Sequence, residues 1–401
     1  LPVQATATPK PRDTPRELRR LTTLVIVAGV IFGVAGLATF VLLATQLQRA
    51  EASTAQLIRV QEIQTDLLRA DANATNAFLV GGLERADQRQ AYDEAVTQAS
   101  VLVAEAADAE PADRAALSTL NTLLIDYTEN IELARANNRQ GFPVGAQYLR
   151  EASSGLRADA LPILDNLVEA NADRAASQMN AWISILFGIV GLVVLGFLIW
   201  TQIGLARRFK RRFNVGLVVA SVVGVVTLLV ALIALGWTAA TVGGLREGAF
   251  TDVRDAATAR IEGNNAKSNE SLTLIARGSG ASFEEAWQAS AAVVQQRITR
   301  FRDLDTLWQP YADVHTQVRK LDDGGQWDQA VRLATTDSNT TFTSFDNALD
   351  GLVDSSARAT SSGLGSATPW LVIGAVLSFA AGIVMAVFGR RGIGQRLKEY
   401  R

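Results

Sequence analysis

The segment Ala-Arg-Arg-Phe-Lys-Arg-Arg-Phe, residues 206–213, lies near the middle of the chain between two long apolar runs. Five of its eight residues are basic. Lys and Arg near the ends of membrane spans are retained on the cytoplasmic side, so this segment predicts a short cytoplasmic turn between two transmembrane helices. On each side of it the chain follows the same order: a basic end, an apolar run, a long acidic region, a second apolar run and another basic end.

Four apolar runs contain no charged residue. Each has at least about 20 residues, enough to cross a hydrocarbon core of roughly 30 Å as a helix. Trp200 and Trp237 lie near the ends of their runs, as expected for an interfacial aromatic belt. We therefore predict four transmembrane helices, and disfavour buried helices of a soluble protein or a signal peptide for the first run. The predicted spans are residues 22–46, 181–203, 215–240 and 369–388.

Charge is segregated along the chain, and this predicts the topology. Residues 47–181 contain 20 acids against 11 bases, and residues 241–367 contain 17 against 12. The basic segments hold the termini and the middle turn in the cytoplasm of a bacterium, so the acidic regions lie outside a multi-pass plasma-membrane protein. The predicted segments between the spans are a disordered cytoplasmic leader (1–21), an extracytoplasmic helical bundle (47–180), a basic cytoplasmic loop (204–214), a second extracytoplasmic bundle (241–368) and a basic cytoplasmic tail (389–401).

Composition excludes several classes of function. The chain has no Cys and a single His, so thiolate and multi-histidine metal sites are excluded and no metal or cofactor is expected. No phosphate-binding loop, catalytic triad or nucleic-acid motif is recognisable, and we expect a non-enzyme. The spans carry no ionisable residue, which disfavours a transporter because ion pathways through membranes use such groups.

Apolar periodicity predicts helices throughout the first acidic region. Val60, Ile63, Leu67 and Ala70 begin a row spaced by three and four residues, which forms one apolar face of a helix that ends at Gly81-Gly82. A second helix is predicted over about 86–108. A third carries the row Leu117, Leu120, Leu124, Tyr127, Ile131 and Ala134. The fourth starts after Pro143 and should be kinked at Pro162, which lacks a backbone donor. Four such helices predict an up-and-down bundle.

The second acidic region repeats this plan. Its first helix is predicted to continue the third span as far as Ile275, and its second to begin near Ser282 with a cap that includes Glu285. Pro310 leaves the connection between the second and third helices ambiguous. Residues 349–354 (LDGLVD) resemble 164–169 (LDNLVE). We predict an all-α, internally duplicated membrane protein with a pseudo-two-fold axis along the membrane normal, as a monomer or a dimer.

Each half, with a span, a helical bundle and a second span, resembles the four-helix-bundle sensor modules of chemoreceptors. The duplicated plan, the basic turn at Arg207–Arg212 and the cysteine-free composition resemble the GlnX family of actinobacterial membrane signalling proteins. This resemblance implies partners: a periplasmic amino-acid-binding lipoprotein (GlnH) that senses glutamate or aspartate, and a cytoplasmic serine/threonine kinase (PknG). Only residues 389–401 follow the fourth span, so we expect output through a separate protein. A self-contained ligand sensor, a transport component and an envelope scaffold are the alternatives.

A polar patch on the first helix of each bundle is a candidate ligand site. An amino acid needs a cation for its carboxylate and an acid for its ammonium group. Helix positions two or three apart do not all face one pocket, so we favour a solvated helix face over a binding site. The candidates are Arg69, Asp71, Asn73 and Asn76 in the first region, and Lys267 and Glu270 in the second.

Aromatic residues near predicted loops are candidate anchors for a protein partner, because aromatic rings dominate many interfaces. The alternative is that these rings cover the ends of the bundle cores, as we expect for Tyr92 and Trp287. Nearby glycines would let the loops flex. His315 is expected to be a surface or satisfied residue, not a site. The partner-binding candidates are Phe142, Phe283, Trp327, Gly81, Gly82, Gly278 and Gly280.

The basic segments are candidate contacts for the cytoplasmic partner. The simpler interpretation is that they set topology and bind anionic lipid of the bilayer. The residues concerned are Arg207, Arg208, Lys210, Arg211, Arg212, Arg390 and Arg391.

Overall fold

A computed structural model of the chain describes residues 14–80, 84–179, 183–209 and 214–398. These ranges are helical and contain no strand, which confirms the predicted all-α class. The helices are α1 (Thr14–Val80), α2 (Ala86–Ala109), α3 (Arg114–Arg139), α4 (Val144–Gly155), α5 (Leu161–Gln178), α6 (Ile183–Phe209), α7 (Val215–Glu247), α8 (Ala249–Ile275), α9 (Ala281–Ile298), α10 (Arg302–Asp323), α11 (Trp327–Thr335) and α12 (Asp337–Lys398).

The chain forms two compact units. The apolar unit comprises Leu1–Gln48, Met179–Gly243 and Leu364–Arg401, and the polar unit comprises Arg49–Gln178 and Gly244–Gly363. Four stretches of helix among the described residues are long and apolar enough to cross a membrane. This supports the predicted multi-pass membrane protein.

Within the apolar unit, α1 and α12 approach each other through glycines. A Cβ atom added to Gly33 would lie 3.1 Å from the Cα of Gly382, and one added to Gly29 would lie 2.8 Å from the backbone nitrogen of Ala386. Helices in lipid associate mainly by such close backbone packing, which only small residues permit. The ring of Phe187 from α6 packs beside this pair, 5.6 Å from Phe32.

The outward faces of the apolar helices expose large hydrophobic side chains. Ile185, Leu192, Val215 and Ile233 are each at least 65% exposed. Such a surface is unfavourable in water and matches a hydrocarbon surrounding. It agrees with the bilayer as the environment of this unit.

The polar unit contains two helical bundles. Bundle 1 consists of α1 from Arg49 onward with α2, α3, α4 and α5, and its buried core includes the predicted rows of α1 and α3. Bundle 2 consists of α8, α9, α10, α11 and α12 as far as Gly363, and its core is richer in rings. The bundles touch through α1 and α8: Ile261 joins the core of bundle 1, and Leu79 packs with Leu274 and Val331.

The structure adds detail to two local predictions. Directly before the proline at which a kink is predicted, Pro162, the helix contains a π-helical turn over Leu156–Ala160, in which Leu161 donates to the carbonyl of Leu156. Pro162, which has no backbone N–H to donate, follows Leu161 directly, so the π turn lies where the regular hydrogen-bond pattern of the helix is interrupted. The third span continues into the first helix of bundle 2 as predicted, with a one-residue interruption at Gly248 that separates α7 from α8.

The second and third helices of bundle 2 differ from expectation. Helix α9 begins at Ala281 with Gly280 as its N-cap, so Ser282 lies inside the helix and forms no cap. Pro310 lies inside α10 and does not end a helix; the break comes earlier, at Thr299–Phe301. Pro310 is tolerated at the ninth position of a helix whose apolar face is firmly packed in the core.

Candidate functional site

A buried carboxylate joins the two bundles. Asp71 of α1 is fully buried and accepts hydrogen bonds from Ser153 Oγ at 2.6 Å, Arg157 Nη1 at 2.9 Å and Ser268 Oγ at 2.5 Å. Arg157 also donates to Asn265 Oδ1 of bundle 2 at 3.1 Å. A buried charge is tolerated only when it is paired and hydrogen-bonded, so Asp71 ties the position of α8 to that of α4.

Further polar contacts cross the same boundary. Arg69 pairs with Asp346 of α12 at 3.4 Å, and Asn76 Nδ2 donates to Asn339 Oδ1 at 2.5 Å. Asn73 is half-buried. The interpretation of this patch as a solvated helix face is wrong, because α1 carries its polar residues on the side that packs against bundle 2.

The second predicted patch is also buried. Lys267 Nζ lies 2.6 Å from Glu270 Oε1 and donates to Ser338 Oγ at 2.8 Å and to the carbonyl of Ala334 at 3.0 Å. Glu270 is 1% exposed, and its other oxygen lies 3.0 Å from His315 Nδ1. The solvated-face interpretation is therefore wrong here too, and His315 belongs to a buried charged cluster.

Electrostatics favour the charged forms of Glu270 and His315, whereas burial lowers the pKa of Lys267. Burial by itself would raise the pKa of Glu270, but Lys267 and His315 outweigh it and lower the pKa to about 2. Burial would lower the pKa of His315, and its two carboxylate neighbours outweigh that effect and raise it. Its Nε2 lies 3.3 Å from Glu284 Oε2, and the Trp287 ring stacks on it with centroids 3.6 Å apart.

A group of acids at the contact of α1 with bundle 2 has the opposite character. Burial, with the nearby Asp66, raises the pKa of Glu62 to about 7, and burial raises that of Asp66 to about 6. Arg260 binds Asp346 at 3.0 Å and also Asp350, and Arg69 pairs with Asp66 at 3.3 Å. These cations lower the pKa values of Glu62 and Asp66 less than burial raises them. These carboxyls titrate nearer neutrality than ordinary ones.

Bundle 1 contains a cleft of about 300 Å³ bordered by α1, α2, α3 and α4. Arg135 reaches it from α3 and pairs with Glu84 at 3.0 Å and Glu132 at 2.8 Å, and its guanidinium lies 4.0 Å above the ring of Tyr92. Among the described residues its buried Nε atom has no hydrogen-bond partner. The cleft is lined by Ala74, Ala77, Phe78, Glu84, Ala86, Arg89, Ile131, Ala134, Arg135, Asn138, Arg139 and Leu149.

The predicted aromatic anchors have unequal exposure. Phe142 is 51% exposed, whereas Phe283 and Trp327 are half-buried. Trp327 Nε1 donates to the carbonyl of Leu274 at 2.9 Å, and Arg277 lies 4.0 Å over its ring. Trp327 therefore closes the end of α8, and Phe142 is the anchor candidate with the most open ring.

The glycines near these rings meet geometric requirements. Gly278 has a φ of +85°, a left-handed conformation that suits glycine after a helix end. A Cβ at Gly280 would lie 2.7 Å from the carbonyl of Thr273, so this glycine permits close packing. Gly81 and Gly82 lie outside the described residues.

The cytoplasmic candidates are only partly described. Arg207, Arg390 and Arg391 are exposed. The side chain of Arg208, and Lys210, Arg211 and Arg212 entirely, lie outside the described part of the chain. Arg390 and Arg391 share an open cleft with Arg19. Within the described ranges no group of three His, Asp or Glu side chains is arranged to hold a metal.

Residues 46–180 match the family model described as actinobacterial sensor domain. The match covers all of bundle 1, well under half of the chain, and bundle 2 lies outside it. No curated protein and no solved structure matches the chain. The sensor-domain match and the four apolar helices together fit a membrane sensor of actinobacterial type.

Sequence reasoning missed the partners of the residues that it singled out. Arg157 lies 86 positions from Asp71, and nothing near it marks it as a partner. His315 stands alone in the sequence, with no second His and no catalytic pattern near it, so local pattern does not mark it as part of a charged cluster. The signal that was present for Arg135 is its place one residue after the apolar row of α3, on the edge of the face that packs inward.

Proposed function

We propose that the protein is a transmembrane relay that senses the supply of an amino acid, glutamate or aspartate, outside the membrane. A periplasmic binding lipoprotein contacts the bundles, and a cytoplasmic kinase receives the signal. The observation that carries this proposal is the match of bundle 1 to a sensor domain in a chain with four apolar helices.

The contact between the bundles supports a relay. Helix α1 is a single helix that holds both the glycines at positions 29 and 33 and the buried Asp71. A shift of α1 would disturb its hydrogen bonds to Ser268 and its ion pair with Asp346. Packed polar contacts of this kind switch between discrete arrangements more readily than they deform gradually.

A second candidate, a self-contained sensor, is favoured by the cleft of bundle 1. In that case an extracytoplasmic ligand binds the chain directly and no binding lipoprotein is needed. The two candidates share the relay through α1 and differ in what touches the bundles.

The relay is tested by restraining α1 against α12. Ser361 Oγ donates to Glu51 Oε1 at 2.8 Å, and the chain has no native cysteine. The variant E51C/S361C is joined by a cleavable bifunctional thiol reagent in membranes that contain the full chain and both partners. Kinase activity and recovery of the lipoprotein are then measured with and without glutamate or aspartate.

We expect the wild-type chain to change kinase output with the amino acid. The joined variant should keep the lipoprotein but lose that change, and cleavage of the linker should restore it. E51C alone, treated with the same reagent, is the control. Kinase output that ignores the amino acid in the wild-type chain would refute the relay, and a lipoprotein that is never recovered would leave the self-contained sensor.

A further inference from the structure

We infer that the cleft of bundle 1 binds a small organic carboxylate, an inference that rests on the proposed sensing function and gives it a direct ligand site. The inference comes from comparing the cleft with the corresponding place in bundle 2. There the same space is occupied by carboxylate side chains of the protein itself.

The two bundles can be matched by their buried residues. On α3 the buried positions include Leu120, Leu124, Tyr127, Ile131 and Ala134. On α10 they are Leu304, Trp308, Tyr311, His315 and Val318, at the same spacings. On α2 the buried row from Tyr92 to Val103 matches the row from Trp287 to Ile298 on α9 in the same way. Ile131 therefore corresponds to His315, and Arg135 to Arg319.

Hydrogen bonds match α1 with α8. Ser153 binds Asp71 in bundle 1, and Ser338 binds Lys267 in bundle 2. Likewise the carbonyl of Phe78 accepts a side-chain hydrogen bond near the end of α1, and that of Leu274 accepts one near the end of α8. Asp71 and Lys267 are separated by the same number of residues as Phe78 and Leu274. At that same separation, Ala74 of α1 corresponds to Glu270 of α8.

The corresponding places differ in charge. In bundle 2 the Glu270 side chain extends from the position of Ala74, and Glu284 takes the position of Arg89. Glu284 lies 3.3 Å from the guanidinium of Arg319. In bundle 1 both carboxylates are replaced, by a methyl group and by a cation. The space beside Arg135, which corresponds to Arg319, is then part of the cleft.

The lining of the cleft suits a compact acid. Arg89, Arg135 and Arg139 line it together with one acid, Glu84. Outside the lining, Glu132 pairs with Arg89 and Arg135, and Asp93 pairs with Arg89. The guanidinium of Arg135 offers the buried, unpartnered Nε–H, and planar guanidinium groups prefer carboxylates. Within the described chain Arg139 has no ion pair. A volume of about 300 Å³ is at the small end for ligand pockets.

Ala74, Ala77 and Leu149 give the cleft an apolar floor on α1 and α4. This floor accommodates the short hydrocarbon part of the acid while the carboxylate meets the arginines. Because α1 lines the cleft, occupancy acts on the helix that also carries Asp71.

The test uses the full chain in lipid nanodiscs, without partner proteins. Binding of propionate, succinate and glutamate is measured by calorimetry, with propionamide as the uncharged isostere of propionate. We expect saturable binding of at least one acid and at least tenfold weaker binding of the amide. Arg135→Gln should weaken the acid at least tenfold, and Ala74→Leu should abolish binding by filling the floor. Glu285→Gln, on an exposed position of bundle 2, is the matched control.

A fold control separates loss of binding from loss of structure: each variant must keep the helical circular dichroism and thermal midpoint of the wild-type chain. If Ala74→Leu does not keep them, Ala74→Ser serves as a milder variant. Failure of all three acids to bind, or binding that Arg135→Gln leaves unchanged, would overturn the carboxylate site. Binding that persists in a chain without any kinase response would uphold the site and refute the proposed relay, so the two failures are distinguishable.

Discussion

Bundle 1 and bundle 2 bury the same rows of helix positions, but the buried polar groups in these rows have different hydrogen-bond partners. In bundle 2, Trp287 Nε1 donates to the hydroxyl of Tyr311 at 3.1 Å. The corresponding hydroxyls of bundle 1, those of Tyr92 and Tyr127, are buried and have no hydrogen-bond partner among the described residues. The Trp–Tyr pair of bundle 2 is thus hydrogen-bonded, whereas the hydroxyls of the matching tyrosine pair in bundle 1 are not.

The difference also extends to charge. Bundle 2 buries Lys267, Glu270 and His315 together, an arrangement that holds only while all members are present. Bundle 1 has apolar residues at the corresponding positions Ala74 and Ile131. Bundle 2 therefore fills this place with its own charged side chains and forms a closed frame, whereas bundle 1 has a cleft there. The bundle with the cleft is the one that matches a sensor domain.

The largest expected effect comes from breaking the charged cluster of bundle 2. Glu270→Leu leaves Lys267 and His315 buried without their carboxylate, which should cost about 3–5 kcal/mol of unfolding free energy. Fluorescence of Trp287 and Trp308 during denaturation, measured in a chain in which Trp182, Trp200, Trp237 and Trp370 are replaced by Phe, reports bundle 2, since bundle 1 contains no Trp. Glu285→Leu, at an exposed site, should cost less than about 0.5 kcal/mol. A small effect of Glu270→Leu would refute the closed-frame description.

A matched pair of tyrosines tests the contrast in hydrogen bonding. Tyr311→Phe removes the acceptor of the buried Trp287 Nε1 and should destabilise the protein by about 1–3 kcal/mol. Tyr127→Phe removes a hydroxyl that has no partner and should be neutral or slightly stabilising. Chemical denaturation of both variants measures the difference, and equal costs would contradict the contrast.

The acids at the bundle contact predict a dependence of stability on pH. The pKa of Glu62 is raised from 4.5 to about 7 by burial and by Asp66, Asp354 and Asp350, against the opposing charge of Arg260. A raised carboxyl pKa means that the unfolded chain ionises first, so stability is greatest below pH 4.5 and falls as pH rises to about 7. The loss should be on the order of 1 kcal/mol, because Glu62 is only partly buried.

Glu62→Gln should flatten the profile between those two values. His315 adds in the same direction: its raised pKa gives a contribution that is complete below 6.5 and lost as pH rises through the folded value. Unfolding midpoints at a series of pH values measure both. A Glu62→Gln profile identical to that of the wild-type chain would assign the pH dependence to other groups.

A small effect on stability is expected at the exposed ring of Phe142. Phe142→Ala should change the unfolding free energy by less than about 0.5 kcal/mol, because the side chain is 51% exposed. Trp327→Ala should cost more, since its ring covers the end of α8. Recovery of the proposed binding lipoprotein by the two variants then tests whether Phe142 is a partner anchor, and an unchanged recovery would exclude it.

Much of the helical framework could be predicted from local pattern. The ends of α2 and α3 fall within a few residues of expectation, because Gly, Pro and the apolar rows mark them. The interruptions at Gly248 and at the π turn could not be predicted in this way. Gly and Pro occur inside helices as well as between them, and packing decides whether the helix continues through them. Likewise Pro310 remains inside α10 because the row from Leu304 to Val318 is buried.

The sequence by itself determined the all-helical class, the four apolar stretches and the apolar faces of the bundle helices, because these follow from residue periodicity and run length. Only the tertiary structure decided the fate of the polar stretch on α8. Residues such as Lys267 and Glu270 are typical of a solvated surface in isolation, yet α8 is surrounded by helices of both bundles. Their burial depends on partners far away in the chain, Ser338 and His315, which no local pattern connects to them.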